Sequence, residues 1–113
     1  ILALPENIPG RMGVGAVHHI AFRAKDDDHQ LQFQREIHDN GLFVTEVMDR
    51  NYFHSIYFRE PGNILFEIAT DQPGFLIDES SDELGSHLKL PPWEEPRRAE
   101  IEKTLPKIII PVE

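Results

Sequence analysis

A carboxylate stands in the middle of an apolar run, Ile64-Leu65-Phe66-Glu67-Ile68, and no other feature constrains the fold as much. The run reads as a strand. A buried carboxylate is costly unless it is paired or coordinates a metal, so Glu67 demands a partner. A second strand-like run, Val17-His18-His19-Ile20-Ala21-Phe22-Arg23, carries other metal-capable groups among residues expected to be buried. The two runs are far apart in the chain and can meet only through folding. A metal shared by His19 and Glu67 is the sharpest explanation of both.

The stretch between them has a readable order. Residues 16–24 alternate Ile20, Phe22 and Ala24 with His19, Ala21 and Arg23, the period of a two-faced strand. Asp26-Asp27-Asp28 supplies an N-cap and the acidic first turn that suits a helix start. The helix is expected to run to about His38, burying Leu31, Phe33 and Ile37, and to stop at Asn40-Gly41, where glycine accepts the left-handed conformation. Three strands follow: Leu42 to Val47, Phe53 to Arg59 and Ile64 to Ala69. They are joined by the polar turn Asp49-Arg50-Asn51 and the reversal Pro61-Gly62-Asn63, with Pro fixing φ and Gly tolerating φ > 0. On the last strand Ile64, Phe66 and Ile68 should face the helix, leaving Glu67 on the other side with Leu65 and Ala69.

Residues 1–14 read as a linker or arm, residues 15–71 as one βαβββ unit, and residues 72–113 as an irregular, proline-rich C-terminal tail. In the tail Pro96 suits the first turn of a short helix reaching Leu105, and Ile108-Ile109-Ile110 is a candidate edge strand. The chain starts without Met or a signal-peptide pattern, as expected of the interior of a longer protein. A length of 113 residues with 40% hydrophobic content allows one small core. A formal charge of −9 argues against nucleic acid and against an anionic membrane surface. No cysteine is present, which removes disulfides and thiolate chemistry and suits a reducing cytoplasm.

The order strand-helix-strand-strand-strand resembles one module of the vicinal oxygen chelate superfamily, the α+β fold of glyoxalase I, bleomycin-resistance proteins and extradiol dioxygenases. Four stretches sharpen this: His18-His19-Ile20-Ala21-Phe22, Asp49-Arg50-Asn51-Tyr52-Phe53, Ser55-Ile56-Tyr57-Phe58-Arg59 and Phe66-Glu67-Ile68-Ala69-Thr70-Asp71. With Leu90-Pro91-Pro92-Trp93 they resemble the C-terminal module of hydroquinone-type ring-cleaving dioxygenases. Those enzymes are longer, multi-module proteins whose iron takes one His from the first module and a His and a Glu from the last. The resemblance therefore implies His19 and Glu67 as ligands of Fe(II), with Mn(II) also compatible, and a third ligand outside this chain. It implies a small aromatic diol and O2 as substrates. Two His and one carboxylate on one face of an iron leave open positions for such molecules.

By the same resemblance His18 is an acid/base group beside the metal, Tyr57 faces the metal, and Arg50 stabilises an anionic substrate oxygen. Strict alternation instead sends His18 to the face opposite His19, so its role requires a bulge or a strand-end position. Tyr57 and His54 are three apart and face opposite sides of their strand. Tyr57 is in phase with Phe53 and Ser55. The reverse register would make His54 a rival ligand. Arg50 read alone is a surface arginine in a polar turn, and His29, His38 and His87 read as solvated. Two further readings stay open: a glyoxalase-like lyase or isomerase built from paired modules, each giving His19 and Glu67, and a non-catalytic binding module. A sheet with one helix covers only one of its faces. A homodimer or the missing N-terminal modules are therefore expected on the other.

Overall fold

The computed structural model describes residues 11–107. Contacts divide the chain between Ile77 and Asp78 into two compact units. The first carries the sheet: β1 (Ile20–Arg23), helix α1 (Asp27–Asp39), β2 (Met48–Asp49), β3 (His54–Arg59) and β4 (Leu65–Ala69). The strand order is β1-β4-β3-β2. β1 runs parallel to β4, and β4-β3 and β3-β2 are antiparallel. This is the expected α+β arrangement, a βαβββ unit with the first and last strands side by side.

Local chemistry explains the helix. Asp26 is extended and its Oδ1 accepts from the His29 N–H at 2.8 Å, a side-chain N-cap. Asn40 caps the other end and Gly41 follows with φ 79°. The buried stripe differs from expectation. Leu31 is exposed, while Gln30 is completely buried. Gln30 Nε2 donates to the carbonyls of His54 and Ile68 at 2.8 and 2.7 Å, so α1 is fastened to β3 and β4 by a polar stitch. The apolar core is Ala24, Ile56 and Ile68, with Phe33, Ile37, Val44 and Phe58 packed around it.

Three strands are shorter than read. β1 begins at Ile20, so His18 and His19 precede it. The segment Leu42 to Val47 is not a regular strand. Val44 makes a single bridge to Phe58, and the Thr45 hydroxyl accepts the Tyr57 N–H at 3.0 Å. The Thr45 carbonyl is taken by Gln34 Nε2 at 2.7 Å. Side chains thus occupy groups a ladder would use, and regular pairing resumes only at Met48. β3 starts at His54 rather than Phe53. In the reversal, Asn63 and not Gly62 is left-handed, with φ 68°. The Glu60 carboxylate fixes that turn by accepting from the N–H groups of Gly62 and Ile64, both at 2.8 Å. Ile64 stays outside the strand and half exposed instead of joining the helix-facing triplet.

The second unit, from Asp78 onward, contains α2 (Arg98–Thr104), preceded by a 3-10 turn over Glu95–Arg97 with Pro96 in its first turn. Arg98 bonds Glu95 at 2.6 Å and Glu102 at 3.2 Å, bracing the helix along i,i+3 and i,i+4. The candidate strand Ile108-Ile109-Ile110, like residues 1–10 of the arm, lies outside the described residues. Among the described residues no helix is long and apolar enough to cross a membrane.

Candidate metal centre

Glu67 sits on β4 directly opposite Tyr57 of β3 and beside Ala21 of β1. Its period-2 neighbours put it on the sheet face away from α1, and its side chain is only 5% exposed. Ser55 lies two residues from Tyr57, on the same face, and is completely buried. Both hydroxyls donate to Glu67 Oε1, that of Tyr57 at 2.8 Å. The other oxygen, Oε2, lies 2.7 Å from His19 Nε2. Three partners therefore satisfy the carboxylate, and its burial is explained by pairing alone.

The network continues in both directions. Nδ1 of His19 and Nδ1 of His18 are 2.9 Å apart, so one donates and the other accepts. Because both histidines precede β1, alternation does not separate them, which is how adjacent residues come to share one contact. At the far end Arg50 Nε donates to Tyr57 Oη at 3.2 Å, and the guanidinium lies 5.1 Å above the phenol ring. Asn51, left-handed at φ 70° with its N–H bound to Asp49 Oδ1, turns the chain that presents Arg50. His18, His19, Glu67, Tyr57 and Arg50 thus form one continuous chain of contacts across the sheet. His54 is excluded from it. Its Nδ1 pairs with Asp27 Oδ1 at 2.8 Å on the helix side.

His19 and Glu67 open onto a cavity of about 350 Å³, whose walls include Ala21, Tyr52, Phe53, Ala69 and Phe75. Tyr52 and Phe75 pack ring against ring with centroids 4.9 Å apart. Gly74 makes that approach possible. It is left-handed at φ 86° and its N–H bonds the Tyr52 carbonyl at 2.8 Å. Two residues escaped the sequence reading. Ser55 shares the phase of Tyr57 and Glu67, but a serine in a strand carries no signal of its own. Phe75 follows the βαβββ unit and reaches the cavity only through the turn at Gly74.

The donor set suits a divalent cation. An imidazole nitrogen and a carboxylate oxygen are ordinary ligands for first-row metals. Their 2.7 Å separation is close to the roughly 3 Å between neighbouring ligands bound at about 2.1 Å in an octahedral shell. Among the described residues no group of three or more His, Cys, Asp or Glu side chains that could hold a metal ion converges.

Comparison with known proteins bears on this arrangement. Residues 1–68 match the Glyoxalase/Bleomycin resistance protein/Dioxygenase superfamily. A Bacillus subtilis (strain 168) protein named "Putative ring-cleaving dioxygenase MhqO" is 58% identical over 96 residues, covering 85% of this chain and 31% of the relative. The chlorohydroquinone/hydroquinone 1,2-dioxygenase of Sphingobium indicum is 41% identical over 97 residues, covering 83% of this chain and 29% of the relative. A crystal structure of a "putative dioxygenase" from Bacillus subtilis superposes with a TM-score of 0.83 at 56% identity, over 88% of this chain and 33% of that one. The chain spans about a third of the length of the curated relatives it matches.

Proposed function

The chain belongs to the Glyoxalase/Bleomycin resistance protein/Dioxygenase superfamily, and from that premise we propose that it is the C-terminal, metal-binding module of an extradiol-type, ring-cleaving dioxygenase. The observation that carries the proposal is the pairing of His19 Nε2 with Glu67 Oε2 at 2.7 Å at the mouth of an aromatic-walled cavity. The names of the relatives support ring cleavage as the reaction and a hydroquinone as the substrate class.

In this reading His19 and Glu67 hold Fe(II), and a residue of another module completes the set. That module is another part of the same, longer polypeptide. Bound there, Fe(II) would supply redox chemistry with dioxygen. The chain's own residues do the rest. Tyr52, Phe53 and Phe75 give an aromatic ring apolar surface to lie against and limit water beside it. The Tyr57 hydroxyl, held between Glu67 and Arg50, has the role of passing a proton to or from a substrate oxygen. Arg50 is a permanent cation and favours the ionised form of that oxygen. With Nε2 of His19 given to the metal, its Nδ1 holds the proton and donates to Nδ1 of His18, so His18 orients the ligand ring and carries its own proton at Nε2, the atom through which it acts as an acid or base.

Metal analysis of the full-length protein and its His19→Ala and Glu67→Gln variants tests this. Both variants should lose stoichiometric iron and oxygen uptake with hydroquinone. Iron content and ring cleavage surviving in either variant would overturn the assignment.

A further inference from the structure

We propose that Ser55 is a positioning residue that makes Glu67 a one-oxygen ligand, an inference that rests on the metal reading above. The two oxygens of Glu67 have different surroundings. Oε1 receives two hydroxyl donors, Ser55 and Tyr57, while Oε2 faces His19 alone. Two O–H donors occupy the acceptor capacity of Oε1. A cation approaching from the cavity therefore meets Oε2.

The two donors are not equivalent. Tyr57 is partly exposed and shared with Arg50. Ser55 is fully buried, makes no second side-chain bond among the described residues, and is fixed by β3, where it pairs with Ala69 of β4 and Met48 of β2. A strand in the middle of the sheet thus presents a rigid hydroxyl to the ligand carboxylate. The phenol is the less constrained donor. Groups that orient a ligand from behind typically govern metal affinity by about 10–100-fold.

The experiment measures Mn(II) affinity and the Co(II) absorption spectrum of the full-length protein and its Ser55→Ala, Ser55→Cys and Ser55→Thr variants. Ser55→Ala should bind Mn(II) about 10–100-fold more weakly. Its Co(II) bands should change as the carboxylate, held at Oε1 by Tyr57 alone, turns toward the metal. Ser55→Thr, which keeps the hydroxyl, should restore both. Should Ser55→Ala fail to fold, the near-isosteric Ser55→Cys, a weak donor, should show the same direction of change. Affinity within twofold of the parent together with an unchanged Co(II) spectrum would overturn the proposal, as would equal losses in the Ala and Thr variants. Glu67→Gln is the control. If it retains metal, the ligand reading itself fails. If it loses metal while Ser55→Ala keeps it, only the role of Ser55 fails.

Discussion

Tyr57 and Glu67 face each other across adjacent antiparallel strands, and the phenol donates to Oε1 of the buried carboxylate at 2.8 Å. The contact ties the strand that follows the Arg50 turn to the strand that carries the candidate ligand. Tyr57→Phe deletes the hydroxyl and leaves the ring under Arg50. With Fe(II) saturating, turnover of hydroquinone by the full-length protein should fall by about 10²–10⁴-fold, the range for a lost general acid or base. Oxygen-electrode kinetics would read this, and parental turnover would remove Tyr57 from the chemistry.

Arg50 does two things at once. It donates to Tyr57 Oη at 3.2 Å and lies over the ring at 5.1 Å. A lysine has one compact charge and no planar fork, so it cannot stack and donate together. Arg50→Lys should therefore lower kcat/KM by at least about tenfold, or roughly 1.4 kcal/mol of transition-state stabilisation. Arg50→Ala should lower it further. The melting temperature should stay near the parent's, because an exposed cation–π pair contributes only about 0.5–1 kcal/mol. Equal kcat/KM for the Lys and parental proteins would show that charge alone suffices.

The parts of this fold that were legible in the sequence are those decided locally. Asp26 announces the helix because a side-chain cap needs only three residues, and Gly41 ends it because the left-handed conformation suits glycine. Alternation on β3 and β4 puts Ser55, Tyr57 and Glu67 on one face and sends His54 to the other, as the period of a strand requires. What was not legible depends on competition between partners distant in sequence. Leu31 has the right hydrophobicity for the core, but Gln30 has the position. Its amide reaches two strand carbonyls that a leucine would leave without that donor. Residues 42–47 have strand composition, yet Gln34 and the Thr45 hydroxyl take the groups that a ladder would need. The contact between His18 and His19 escaped alternation for a simple reason: the strand begins one residue later.

Gln30 makes a stability prediction. It is the buried polar link between α1 and the sheet, and its Nε2 serves two carbonyls at 2.8 and 2.7 Å. Gln30→Leu removes both bonds together with the buried, unpartnered Oε1, and should cost about 1–2 kcal/mol. Urea unfolding of the full-length protein should show a lower midpoint with an unchanged slope for the transition that includes this module. A midpoint at or above the parent's would mean that apolar packing compensates fully for the lost stitch.

The β3–β4 reversal carries its own pH dependence. The N–H groups of Ile64 and Gly62 bond the Glu60 carboxylate and hold its pKa below the ordinary value of 4.5. The folded turn binds the ionised form, so its contribution is complete above the unfolded-state value. It is lost as pH falls through the lowered folded-state value. Amide chemical shifts and exchange rates of Gly62 and Ile64, followed by NMR from neutral pH downward, should hold steady down through the ordinary carboxylate range. Below that they should move together as the carboxylate takes up its proton. Glu60→Gln should abolish the transition, because an amide takes up no proton over this range. A transition persisting in Glu60→Gln would assign the pH response to another group.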